Sequence, residues 1–212
     1  MDSDQTTPFE VAAELGIDVG SPRLPRLIRA ASAAVLRYLN RARLHYGAAI
    51  VDTIAIPARQ VRLLLDTTPI ASVASVVLDG AALTSGDWTL EDPDLGILYR
   101  SAGWTYTGAV RPGLQYADPD VGSEQKRLIV TYAGGWVTPA QNLATPSLAR
   151  TLPYDLEQAV IATVVSLYHS GATDARIAAE SMGSYSATYR DGAGVIPDAA
   201  VQILDRWRRV VP

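Results

Sequence analysis

Hydrophobic periodicity changes twice along this chain, and that change limits what it can fold into more than any other feature. In "SPRLPRLIRAASAAVLRYLNRA" (21–42), Leu27, Ile28, Ala31, Val35, Tyr38, Leu39 and Ala42 recur at spacings of three and four. This is the apolar stripe of an amphipathic helix, with Arg26, Arg29, Arg37 and Arg41 mostly outside it. From about Ile50 the texture becomes β-branched and rich in turn pairs, and it stays so to Trp136. The helical period returns in "LPYDLEQAVIATVVSLYHSG", where Leu156, Ala159, Val160, Thr163, Val164, Leu167 and Tyr168 make a second stripe. The pattern predicts an α+β chain of 212 residues in a single domain. One helical core of four to five helices is built from 7–48 and 150–212, with an inserted antiparallel β-rich block over 50–136.

Local signals fill in this frame. "TTPFEVAAELG" reads as a short helix capped by Thr7, with Pro8 in its first position and Gly16 at its end. Strands are expected at Val61–Leu65 and at Val73–Leu78, the latter closed by Asp79–Gly80, a hairpin signal. "DWTL" and "GILYR" follow around "EDPDLG", and "RLIVTYAGGW" (127–136) is the last clear strand. The Gly-, Pro- and Tyr-rich stretch 104–126 exceeds ordinary connection lengths, which predicts a functional or mobile segment. Pro153 fits the first turn of the next helix, Asp155 and Glu157 suit its positive end, and Gly171 stops it. "TDARIAAES" predicts a helical turn or two, and "IPDAAVQILDRWRRVVP" a last helix with the stripe Ile196, Ala200, Ile203, Leu204 and Trp207.

"ESMGSYSATYR" (180–190) stands apart. Tyr185, Ala187 and Tyr189 alternate with Ser184, Ser186 and Thr188, which predicts a strand entered through Gly183. A lone strand leaves backbone donors and acceptors unpaired, so its partner lies elsewhere in the chain or in another copy.

Composition narrows the chemistry. There is no cysteine, which removes disulfides and thiolate sites, and only His45 and His169 are available as imidazoles. The net charge of −4 argues weakly against a dedicated nucleic-acid binder, although local basic patches remain compatible with it. The start, "MDSDQTTPFEVAAELG", lacks an apolar run of signal-peptide length, and no stretch approaches the roughly 18 apolar residues of a membrane span. A soluble protein made in a cytoplasm, with no membrane partner, is expected.

Candidate sites are few. The pairs Asp92/Asp94 and Asp118/Asp120 offer carboxylates for a hard cation, but proline between two aspartates is cheaply explained as a turn. No serine sits in a G-x-S-x-G elbow, and no phosphate-cradling glycine loop occurs in its proper context. His169 ends a helix, where a histidine caps carbonyls or faces solvent. Trp88, Trp104, Tyr106 and Trp136 either stack a ligand or glycan on the β block or fill its core. "DRWRRVVP" sets Arg206, Arg208 and Arg209 around Trp207, residue types enriched at interface hot spots.

Three stretches in order resemble the head–tail connector (adaptor) proteins of tailed bacteriophages and gene transfer agents. They are "TTPIASVASVVLDGAALTSGDWTLEDPDLGILYR", then "LIVTYAGGW", then "LPYDLEQAVIATVVSLY" followed by "ESMGSYSATY". The likeness spans roughly 60 to 190. It implies a helical core with a β-rich excursion and a structural role with no catalysis and no cofactor. It also implies a homo-oligomeric ring, commonly a dodecamer, at the head–tail junction of a virion assembled in the bacterial host cytoplasm. Such a ring docks on the portal protein and offers a surface to a neck, stopper or tail-completion protein. DNA passes through its channel without specific binding. On this reading Arg206, Trp207, Arg208 and Arg209 form a portal-facing anchor, Tyr185 and Tyr189 lie at an interface, and the β block or the 104–126 segment faces neighbours or the tail.

Overall fold

The computed structural model describes residues 4–56, 60–104, 127–170, 179–182, 185–188 and 196–209. Five helices and nine strands are found among them. In chain order these are α1 (Pro8–Leu15), α2 (Leu24–Leu39), β1 (Gly47–Ala55), β2 (Arg62–Leu64), β3 (Ile70–Leu78), β4 (Ala81–Ala82), β5 (Thr89–Asp92), β6 (Ile97–Tyr99), β7 (Arg127–Gly134), α3 (Pro139–Ala144), α4 (Tyr154–Ser170), β8 (Ala179–Met182), β9 (Tyr185–Thr188) and α5 (Asp198–Leu204). The chain divides into two compact units. One comprises residues up to His45 and from Trp136 onward, and the other Tyr46–Gly135.

The helical unit follows from its caps and stripes. Thr7 Oγ1 accepts from the amide of Glu10 at 3.3 Å, Pro8 occupies the first turn, and Gly16 ends α1. The stripe of α2 is buried at Leu24, Ile28, Ala31, Val35 and Leu39, and Asn40 ends the helix in the left-handed region (φ 53°). These side chains meet Leu156, Ala159, Val160 and Val164 of α4 in one core. α1 and α5 each pack on both α2 and α4. α3 carries a capping box, Thr138 and Gln141 each satisfying the other's amide. Its six residues are too few to show a period, so no element is predicted there.

The β unit is built from two sheets, ordered β1-β7-β3-β4 and β2-β6-β5, with antiparallel pairing throughout. Both contribute to one core, including Ile50, Leu63, Val76, Leu98, Trp104 and Val130. The β3–β4 hairpin turns at Asp79–Gly80, both with positive φ (53° and 83°), as an Asp-Gly turn requires. β1 starts at Gly47, ahead of the expected boundary, because Gly47, Ala48 and Ala49 carry none of the branched side chains that advertise a strand. On its inner side Asp52 sits between Ile50 and Ile54. The Asp52 carboxylate accepts from the Tyr132 hydroxyl at 2.7 Å and from the Asp66 amide at 2.9 Å, and the Thr67 amide donates to the Tyr132 hydroxyl at 3.0 Å. Burial, reinforced by the bond to Asp52, pushes the Tyr132 phenol up to about 12.

Gly134, at the end of the interior strand β7, has no room for a side chain. A Cβ there would sit 2.8 Å from the Pro69 carbonyl oxygen and 3.1 Å from that of Thr67. Gly134→Ala should therefore destabilise the β unit by about 2 kcal/mol, the scale of overpacking against rigid backbone. Urea unfolding followed by circular dichroism checks this, and an unchanged midpoint would refute it.

The alternating stretch does not form a lone strand. β9 pairs antiparallel with β8, Met182 opposite Tyr185 and Ala179 opposite Thr188. This corrects the expectation of helix through "TDARIAAES": Ala179–Met182 is strand, and residues 173–178 lie outside the described ones. Four residues are too short to show a period of their own, so the helical composition before them dominates the sequence reading. Among the described residues the hairpin has no third strand, leaving two open edges.

Candidate protein interface

The residues singled out near the C-terminus fall in two groups. Trp207 turns toward its own core. Its Nε1–H donates to Asp155 Oδ2 at 2.9 Å, and its ring meets that of Trp136 edge-on at 5.7 Å. Arg41 lies 5.7 Å above Trp136. The stripe reading of Trp207 is therefore the one its surroundings match. Asp155 is one of two acidic residues in the first turn of α4, so this carboxylate serves both the helix end and the indole. The segment is fixed at two further points. The Arg209 amide donates to the Leu39 carbonyl at 3.0 Å, and the Tyr38 hydroxyl donates to Asp205 Oδ1 at 2.5 Å. The bond to Asp205 raises the Tyr38 phenol above its ordinary value.

Arg206 and Arg208 are exposed. Arg208 lies 5.3 Å above the Tyr38 ring, an arrangement that aligns the guanidinium without consuming its donors. Tyr185 lies on β9 at the end nearest the turn, and Tyr189 is outside the described residues. The four residues from Arg206 to Arg209 are thus together, and nothing described joins them to Tyr185.

Other candidates resolve differently. Asp92 Oδ1 accepts from the amides of Asp94 and Leu95, both at 2.9 Å, so that carboxylate organises its own turn. Asp118, Asp120 and Tyr106 lie outside the described residues. No cluster of three or more metal-ligating side chains occurs among the described residues, and no described helix is long and apolar enough to cross a membrane. Trp104 is fully buried, with its Nε1–H donating to the Val61 carbonyl at 2.9 Å. Trp88 packs against the same core and Trp136 belongs to the helical unit. Trp104 consequently cannot stack a ligand, which removes one of the platforms a glycan site would need.

Charge also divides the first two helices. From Met1 to Pro22 there are five acids (Asp2, Asp4, Glu10, Glu14, Asp18) and no base. From Arg23 to Val51 there are six arginines and no acid. On α1, Phe9, Glu10, Ala13 and Glu14 are exposed, while Val11 and Ala12 are buried. On α2, Arg26, Ala30, Ala33 and Arg37 are exposed along one line of the helix. Counting charges along the sequence would have found this.

No protein-family model matches the chain. No curated protein sequence matches it either. Among solved structures, it is similar to a chain described as "Neck of empty GTA particle computed with C6 symmetry". The TM-score is 0.58 at 17% identity, covering 98% of this chain and 91% of that one. The α+β fold expected from the connector resemblance is therefore shared with a neck chain of a gene transfer agent particle.

Proposed function

We propose that this chain is a structural protein of the neck of a virus-like particle, a ring-forming adaptor of the head–tail connector kind. It docks on the capsid portal, extends the DNA channel and offers its far side to a neck or tail-completion protein. The likeness to the gene transfer agent neck chain carries this reading, because it takes in both units and nearly the full length of both chains. The C6 symmetry of that neck is compatible with a ring of six or twelve copies. The motifs at 60–190 support the same assignment independently of the fold. The role is structural rather than catalytic, in a particle assembled in the host cytoplasm, and DNA passes without sequence-specific contact.

The anchor on the portal narrows to the exposed Arg206 and Arg208, with Trp207 holding the segment to the core rather than entering the partner. Removing 205–212 would strip a core aromatic and confuse binding with folding. Charge reversal is cleaner. Arg206→Glu with Arg208→Glu should weaken portal binding at least about tenfold while the unfolding midpoint stays put, since exposed charges set association more than stability. The decisive experiment is negative-stain imaging of the protein mixed with its portal. A rotationally symmetric collar beneath the portal is expected, and a portal left bare at saturating protein would refute the assignment.

A further inference from the structure

We infer that neighbouring copies join through the two oppositely charged helix faces described above: the Phe9–Glu10–Glu14 face of α1 in one copy seats on the Arg26–Ala30–Ala33–Arg37 face of α2 in the next. This inference rests on the ring reading and names the contact that builds the ring.

Three observations carry it. First, the charges are complementary and are not held in ion pairs of their own chain. The ion pairs Arg62–Glu91 and Arg150–Glu157 involve none of Glu10, Glu14, Arg26 and Arg37. Second, the shapes correspond. Arg26 and Arg37 are eleven positions apart, about 16 Å along a helix, with two alanines between them that leave a shallow floor. The eight residues of α1 span about 12 Å and fit between those arginines. Third, Phe9 is the only phenylalanine in the chain and is 70% exposed on α1, an apolar knob beside two carboxylates. Such a ring gains from a guanidinium or an alanine floor what it cannot gain from water.

Among the described residues no ion pair joins the two faces within one copy. α1 packs on its own unit through Val11 and Ala12 and leaves Phe9, Glu10 and Glu14 exposed, although the Glu10 charge still reaches Glu157 of α4. A contact between two different faces is head-to-tail, and head-to-tail contacts propagate until rotation closes them into a ring. Phosphate-bearing partners could also be drawn to the α2 arginines, but they would leave Phe9 and the α1 carboxylates without a role.

The test uses the full chain, alone by sedimentation and loaded on its portal, where copies per portal are counted. Glu10→Lys with Glu14→Lys, and separately Arg26→Glu with Arg37→Glu, should each weaken copy–copy association at least about tenfold. Raising salt should weaken the wild type in the same direction. Combining all four substitutions in one chain restores complementarity with the signs exchanged and should restore assembly. Phe9→Ser should weaken assembly without changing its salt dependence. All the altered side chains are exposed, and circular dichroism checks that the fold is kept. Rings that form unchanged in both reversed variants would overturn this inference and leave the neck assignment standing. Loss of portal or DNA binding with copy–copy contact intact would assign the α2 arginines to that partner and overturn it too. A wild type that never forms a collar on its portal would remove both readings together.

Discussion

Replacing Arg150 with methionine is expected to lower the stability of the helical unit by about 3 kcal/mol at neutral pH, the low end for breaking a buried ion pair. Glu157 is 2% exposed on α4, and Arg150 Nη2 lies 2.6 Å from its Oε2. Thr6 Oγ1 donates to the other oxygen at 3.2 Å, and the Arg150 guanidinium also lies 3.9 Å above the Tyr154 ring. Burial, the largest influence, holds the Glu157 carboxyl above its ordinary 4.5, and Arg150 pulls it part of the way back. A carboxyl raised by folding favours the protonated native state. Its contribution is complete below the unfolded value and lost as pH rises through the folded value. Removing Arg150 pushes that folded value higher. The penalty of Arg150→Met should therefore be small near pH 4 and full at pH 7. Adding Glu157→Gln should recover most of it, because no buried charge is then left unpaired. Urea unfolding at both pH values decides the matter. Equal penalties at pH 4 and 7 would show that packing rather than charge links the two residues.

Trp104→Ala should cost the β unit about 4 kcal/mol. The side chain has no exposed surface, and truncating a buried tryptophan typically costs 3–5 kcal/mol (roughly) through lost transfer energy and the cavity left behind. The indole also anchors a loop. The Val61 carbonyl accepts from Trp104 Nε1 and from the Arg100 amide, both at 2.9 Å, and the Arg100 guanidinium donates to the Gly103 carbonyl at 2.8 Å. Trp104→Phe keeps most of the volume and loses the polar tether, so about 1–2 kcal/mol is expected there. The ordering Ala well below Phe, and Phe below wild type, is the signature in a denaturant series. A loss under about 1 kcal/mol for Trp104→Ala would mean that the ring is not the keystone of the β core.

Where the sequence could be read, one residue usually sufficed for one structural event. Thr7, Pro8 and Gly16 bound α1, the three- and four-residue spacing from Ile28 to Leu39 marked the buried side of α2, and Asp79–Gly80 turned a hairpin. Failures came where a residue's role was set by a distant partner. Asp52 interrupts the apolar side of β1 and is turned inward, because Tyr132 of β7 and the Asp66 amide of the β2–β3 connection meet it there. Ala179–Met182 reads as helix until its pairing with Tyr185–Thr188 is seen. Trp207 suited both a surface anchor and a buried stripe, and only Asp155 and Trp136, far off in sequence, distinguish them. The opposed charges of α1 and α2 needed no such partner and were countable from the start.

The division of the chain has a consequence for its biosynthesis. β7, an interior strand of its sheet, pairs with β1 and β3, both made earlier. The β unit can close on the ribosome as soon as Gly134 has emerged. Ile28, Val35 and Leu39 leave the exit tunnel long before the α4 residues that cover them, which begin at Tyr154. At translation speeds of roughly 5–20 residues per second, the apolar stripe of α2 waits on the order of ten seconds for α4 in a nascent chain. Chaperone demand during expression should accordingly track the first helices rather than the strands.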